Sequence, residues 1–101
     1  MNQIHKNMAD QIGAKELQFA KFKLMLDGEN GMIVKKGQKF MVINYNYELD
    51  LYDVRLGKYN KQFEIKEEKM EGVYNDMLRE LLQNHFKFEY VMDAFMAQRR
   101  K

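Results

Sequence analysis

The sequence predicts an α+β fold: an N-terminal helix, a small antiparallel sheet of four or five strands, and a C-terminal helix or helices. Two observations carry this. Between residues 39 and 65 the chain reads KFMVINYNYELDLYDVRLGKYNKQFEI. Apolar and polar residues alternate there, β-formers are plentiful, and clusters of Asn, Asp and Gly recur at short intervals. On both sides of this stretch the apolar residues recur at helical spacing instead. A sheet with one dry face, covered by helices, accommodates both periods.

Residues 2–17 form the first predicted helix. Ile4, Met8 and Ile12 recur four apart, Ala9 and Leu17 lie close to the same stripe, and Asn2 suits the N-cap. Gly13 weakens this helix by about 1 kcal/mol. Over residues 19–26 two periods compete. Phe22, Leu24 and Leu26 alternate as in a strand, whereas Leu17, Ala20 and Leu24 would continue the helix; the strand is preferred. The sequence DGENG at 27–31 is a turn that returns the chain into Met32-Ile33-Val34, and Lys35-Lys36-Gly37-Gln38 turns it again.

Residues 40–45 read as a central strand, because Met41, Ile43 and Tyr45 share one face while Phe40 and Val42 add bulk to the other. After a loop at 46–50, Tyr52, Val54 and Leu56 alternate with Asp53 and Arg55, a half-buried strand. Gly57-Lys58-Tyr59-Asn60 reads as a turn, and Phe63 and Ile65 as the inward residues of a last short strand. From Lys66 the pattern changes. Glu67, Glu68 and Glu71 suit a helix N-terminus, with Gly72 an interruption. Tyr74, Met77, Leu78, Leu81, Leu82 and His85 form a helical stripe that Phe88, Val91, Met92 and Phe95 continue. One helix to about Gln98, two helices meeting near Asn84-His85, and a strand through Phe86, Phe88 and Tyr90 all fit that spacing.

The 101 residues suffice for one domain, 1–101, with a modest core. The chain contains no Cys, Ser or Thr, which leaves only Lys, Tyr, His and carboxylates as nucleophiles. A non-enzymatic protein without cofactor is therefore expected. No apolar run approaches the roughly 20 residues of a membrane span, and the first residues are too polar for a signal-peptide core. The expectation is a cytoplasmic protein with no membrane association. With 17 basic and 15 acidic residues the net charge is +2, which excludes an acidic mimic of DNA and falls short of a strongly basic nucleic-acid binder.

The run Val34-Lys35-Lys36-Gly37-Gln38-Lys39-Phe40 followed by short strands resembles small SH3-like barrel proteins of phages and mobile elements of low-GC bacteria. In that family a Lys-Lys-Gly turn precedes the second strand, and a final strand runs into a short helical turn, here matched by Phe63-Glu64-Ile65-Lys66-Glu67-Glu68. The resemblance covers about residues 20–70. It implies an SH3-like barrel tendency in the sheet and a phage-encoded interaction protein. The aromatic run and Trp pair of peptide-binding SH3 domains are absent, so no proline-rich ligand is carried over.

Two candidate surfaces remain. Lys36, Lys39, Tyr45, Tyr47, Arg55, Lys58 and Tyr59 interleave tyrosine with basic charge, as on a face that contacts a protein or stacks bases and holds phosphates. Phe88, Met92, Phe95 and Met96 form an apolar stripe for a partner or a second copy, if the core does not use it. Single histidines without neighbouring ligands make His5 and His85 poor metal ligands. Asp50 and Asp53 read as solvated turn residues, since nothing in the sequence implies a pocket around them. The preferred function is binding, and inhibiting, a host protein such as a defence component. The alternative is a nucleic-acid-binding accessory protein using the Tyr/Lys face, and a homodimer fits either.

Overall fold

Turn-forming residues stand at every reversal, so the strands follow one another in space as they do in sequence. The computed structural model describes residues 2–90. Two short helices, α1 (Gln3–Ile12) and α2 (Ala14–Phe19), precede β1 (Lys23–Asp27), β2 (Gly31–Lys36), β3 (Lys39–Asn46), β4 (Leu51–Tyr59) and β5 (Ile65–Val73). A 3-10 turn at Asn75–Met77 leads into α3 (Leu78–Phe86). The five strands form one antiparallel sheet in the order β1-β2-β3-β4-β5. This is the predicted α+β organisation. Its linear order leaves the sheet open, with no pairing of β5 to β1 to close a barrel.

Cross-strand partners share a face, so the register assigns each side chain. Met32, Val34, Met41, Ile43, Tyr52 and Val54 fall on one face and pack with Met8, Ile12, Leu17, Leu78 and Leu82 of the helices. The other face carries Met25, Ile33, Phe40, Val42, Arg55 and Tyr59. Phe40 and Val42 are buried outside the main core, the ring of Phe40 lying over the bare Cα of Gly57.

Four expectations are corrected. The first helix is broken at Gly13, whose φ of 68° caps α1 and starts α2. β4 runs through Gly57 and Lys58 to Tyr59, so the turn falls later, at residues 60–64, where Asn60 Oδ1 accepts from the backbone N–H groups of Gln62 and Glu64. Phe63 and Ile65 consequently face solvent and not the core. The acidic run after Lys66 is strand, not helix: β5 pairs along the whole of β4, with an irregularity between Tyr52 and Val54 that Gly72 (φ 66°) accommodates. An edge strand tolerates charge on both faces, which is why helix-like composition gave way to ladder pairing.

The C-terminal helix is also shorter than a single helix to Gln98. α3 ends at Phe86, with Lys87 in the left-handed region (φ 56°) and Phe88 N–H donating to the Gln83 carbonyl. Residues 88–90 are neither helix nor strand. The rings of Phe86 and Phe88 meet Phe22 edge-on at 5.0 and 5.1 Å, and the Tyr90 hydroxyl donates to the Ile12 carbonyl at 2.7 Å. Val91, Met92, Phe95 and Met96 lie outside the described residues. No helix among the described residues is long and apolar enough to cross a membrane.

Candidate binding site at the lysine end of the sheet

Register brings lysines together that are far apart in sequence. Lys36 stands opposite Lys39, Lys39 opposite Lys58, and Lys58 opposite Lys66, a row across four strands on the helix-covered side. On the open side Lys23 stands opposite Lys35. Like charges directly opposite one another destabilise a sheet. Among the described residues none of these lysines has a carboxylate partner. Lys39 Nζ donates to the His85 carbonyl at 2.8 Å, at the negative end of α3, and Lys36 Nζ donates to the Ala20 carbonyl at 2.9 Å while standing 4.8 Å over the Phe22 ring. These neutral partners hold the side chains in place but leave the charge uncompensated.

The opposite end of the sheet has the reverse sign. Segments 21–23, 35–39 and 57–67 carry two, three and three lysines and two acids, Glu64 and Glu67. Segments 27–31, 44–54 and 70–76 carry two, three and two acids and neither Lys nor Arg. A net charge of +2 thus conceals a sheet polarised along its strands.

At the lysine end two clefts adjoin. One, of about 280 Å³, is lined by Lys35, Gly37, Gln38, Tyr59, Asn60 and Phe63. The other, of about 250 Å³, lies among Lys21, Lys23, Lys35 and Lys36 at Gly37. Lys35 Nζ sits 5.4 Å over the Tyr59 ring, and Tyr59 in turn packs on Phe40 at 5.2 Å, so its ring is braced from beneath. Phe63 is 84% exposed and holds a φ of 63°. Its turn is fixed by Phe63 N–H donating to the Asn60 carbonyl and Asn60 N–H donating to the Glu64 carbonyl. An aromatic residue kept in the left-handed region, with its ring in water, costs stability without helping the core.

The residues picked out in sequence are divided by this geometry. Lys36, Lys39, Lys58 and Tyr59 gather at the lysine end. Arg55 lies mid-strand on the open face and pairs with Glu67 at 3.7 Å. Tyr45 sits at the acidic end, six residues along β3 from Lys39 and so roughly 20 Å away, and Tyr47 follows in the turn after β3. There Tyr45 packs between Tyr47 (5.1 Å) and Tyr52 (5.5 Å), its hydroxyl hydrogen-bonded to Asp50. That carboxylate holds the Tyr45 phenol above its usual value of 10.0. Burial does the same to Tyr52, whose hydroxyl donates to Gln11 Oε1 at 2.6 Å. Phe88 is half-buried against the core, which removes it from an exposed stripe.

Sequence reasoning missed Phe63, Gln38 and Asn60 as lining residues. Asn60, an Asx-turn initiator three residues before Phe63, was the available signal. It also missed that His5, on the Met8–Ile12 face of α1, is buried (4% exposed), with neither ring nitrogen hydrogen-bonded to a described residue. His85 Nε2 lies 3.0 Å from the carbonyls of both Phe40 and Gly57, so Nε2 carries the hydrogen and ties α3 to β3 and β4. Among the described residues no group of three His, Cys, Asp or Glu side chains converges to hold a metal. No family model matches the sequence, and neither curated proteins nor solved structures give a match.

Proposed function

We propose that this chain is a non-catalytic nucleic-acid-binding protein that takes a single strand across the lysine end of its sheet. One observation supports this above all: a solvent-facing Phe63 and a braced Tyr59 flank a cleft that also holds Lys35, which has no carboxylate partner among the described residues. Stacking of a base on an aromatic ring contributes about 1–3 kcal/mol and requires a base whose face is free, which a duplex does not offer. Lysines that repel one another in the free protein gain from phosphates between them, through the release of counterions. A protein partner, preferred on sequence alone, finds no comparable arrangement of Tyr45 and Tyr47 with the lysines, because the strand length separates them.

The test is fluorescence anisotropy with labelled oligothymidylate and with duplex DNA at several salt concentrations. The expected result is single-strand binding that weakens steeply with salt. Lys35→Glu with Lys36→Glu, at the two adjoining clefts, should abolish it, and Phe63→Ala should weaken it about tenfold at an unchanged salt slope, in keeping with one lost stacking contact. Binding untouched by the lysine pair overturns the proposal. So does absence of oligonucleotide binding at low salt, together with retention of one stoichiometric acidic protein from a lysate on the immobilised chain.

A further inference from the structure

The first strand has a polarity pattern that reads the same in both directions. β1 is Lys-Leu-Met-Leu-Asp, bonded to β2 on one side and, among the described residues, to no strand on the other. Run antiparallel to a copy of itself about Met25, it sets Lys23 against Asp27 of the second copy, Leu24 against Leu26, and Met25 against Met25. We propose that the free edge of β1 pairs in this register with the same edge of a second copy, joining the two five-stranded sheets into one.

Three features on the molecule favour that occupant. Met25 and Leu26 are 45% and 48% exposed on an edge with no proline, bulge or inward charge to discourage pairing. The other edge is guarded: β5 carries Lys66, Glu67, Glu68, Lys69 and Glu71 on both faces, and its ladder is irregular near Gly72. Charge favours self-pairing at two levels. Lys23 already faces Lys35 within the sheet, a repulsion that Asp27 of the second copy would relieve. The two-fold operation also lays the lysine end of each copy beside the acidic end of the other, so the two polarised sheets align head to tail. Since only five residues a side make the ladder, the dimer is expected to be weak, on the order of micromolar.

The test uses the full chain without nucleic acid, which separates it from the binding proposal. The sequence contains no cysteine, so Met25→Cys introduces a single thiol. Residues directly opposite in an antiparallel ladder have Cα atoms about 4.5–5.5 Å apart, inside the disulfide range. Mild oxidation should convert Met25→Cys to a covalent dimer, while Phe63→Cys, more exposed but remote from β1, stays monomeric under the same conditions. In sedimentation the wild type should show a concentration-dependent dimer, Lys23→Glu a monomer, and Lys23→Glu with Asp27→Lys the dimer restored. A wild type that stays monomeric to millimolar concentration overturns the proposal. Equal crosslinking at the two cysteine positions, or a dimer indifferent to Lys23→Glu, also overturns it.

Discussion

Gly57 has no room for a methyl group. A Cβ built there would lie 2.0 Å from the tip of the Phe40 ring, which would have to leave its place over Gly57. Gly57→Ala should therefore cost about 1–3 kcal/mol, the usual penalty of overpacking, read as a lower urea midpoint at unchanged slope. A midpoint equal to wild type would mean that the ring does not occupy this site. The tyrosines supply a second prediction at the same scale. Tyr45 and Tyr52 both have phenols raised above 10.0, so the folded state resists their ionisation more than the unfolded chain does. The resulting stability is complete below pH 10.0 and declines as pH rises through the folded values, because the unfolded chain sheds its protons first. Unfolding midpoints measured from pH 8 to 11 should fall only above about 10, and Tyr45→Phe should flatten that fall. A decline complete by pH 9 would contradict the assignment.

Gly13 shows at the scale of elements what the sequence could and could not disclose. Its left-handed φ separates α1 from α2, and a Cβ there would meet the Arg79 guanidinium and the Tyr90 ring at 3.3 Å. Gly13→Ala is expected to lose about 1–2 kcal/mol through backbone strain alone, where an ordinary helix-interior glycine would gain about 1 by the same change. A stabilised variant, by the same denaturation measurement, would restore the single helix that spacing suggests. The hairpins at Gly28 and Gly37 and the alternation of β3 and β4 were legible, since turn chemistry and burial of one face agree there. β5 was not, because Lys, Glu and Met favour helices locally and only pairing with β4 makes them a strand. The end of α3 was hidden for a similar reason. Phe88 keeps the helical spacing and alternates with Tyr90 as in a strand, yet the two bury by turning back onto Phe22 and Ile12.

Across the whole molecule the decisive quantity is where charge sits, not how much there is. The lysine row is invisible in a linear reading: its members are dispersed from Lys36 to Lys66, and only antiparallel register aligns them. The same register carries Tyr45 and Tyr47 away from them, so a surface that looks continuous in sequence becomes two ends of opposite sign. Phe63 completes the positive end from a turn whose local geometry gains nothing for folding. Replacing it with Gly should leave the fold intact and raise stability by up to about 1 kcal/mol, by removing the left-handed strain, even as the contact surface is lost. Backbone amide shifts of the labelled chain, followed by NMR while oligothymidylate is added, test the account most directly. Changes confined to Gly37, Gln38 and residues 58–64 are the predicted result; changes centred on Tyr47 and Tyr74 at the acidic end, or none at all, would contradict it.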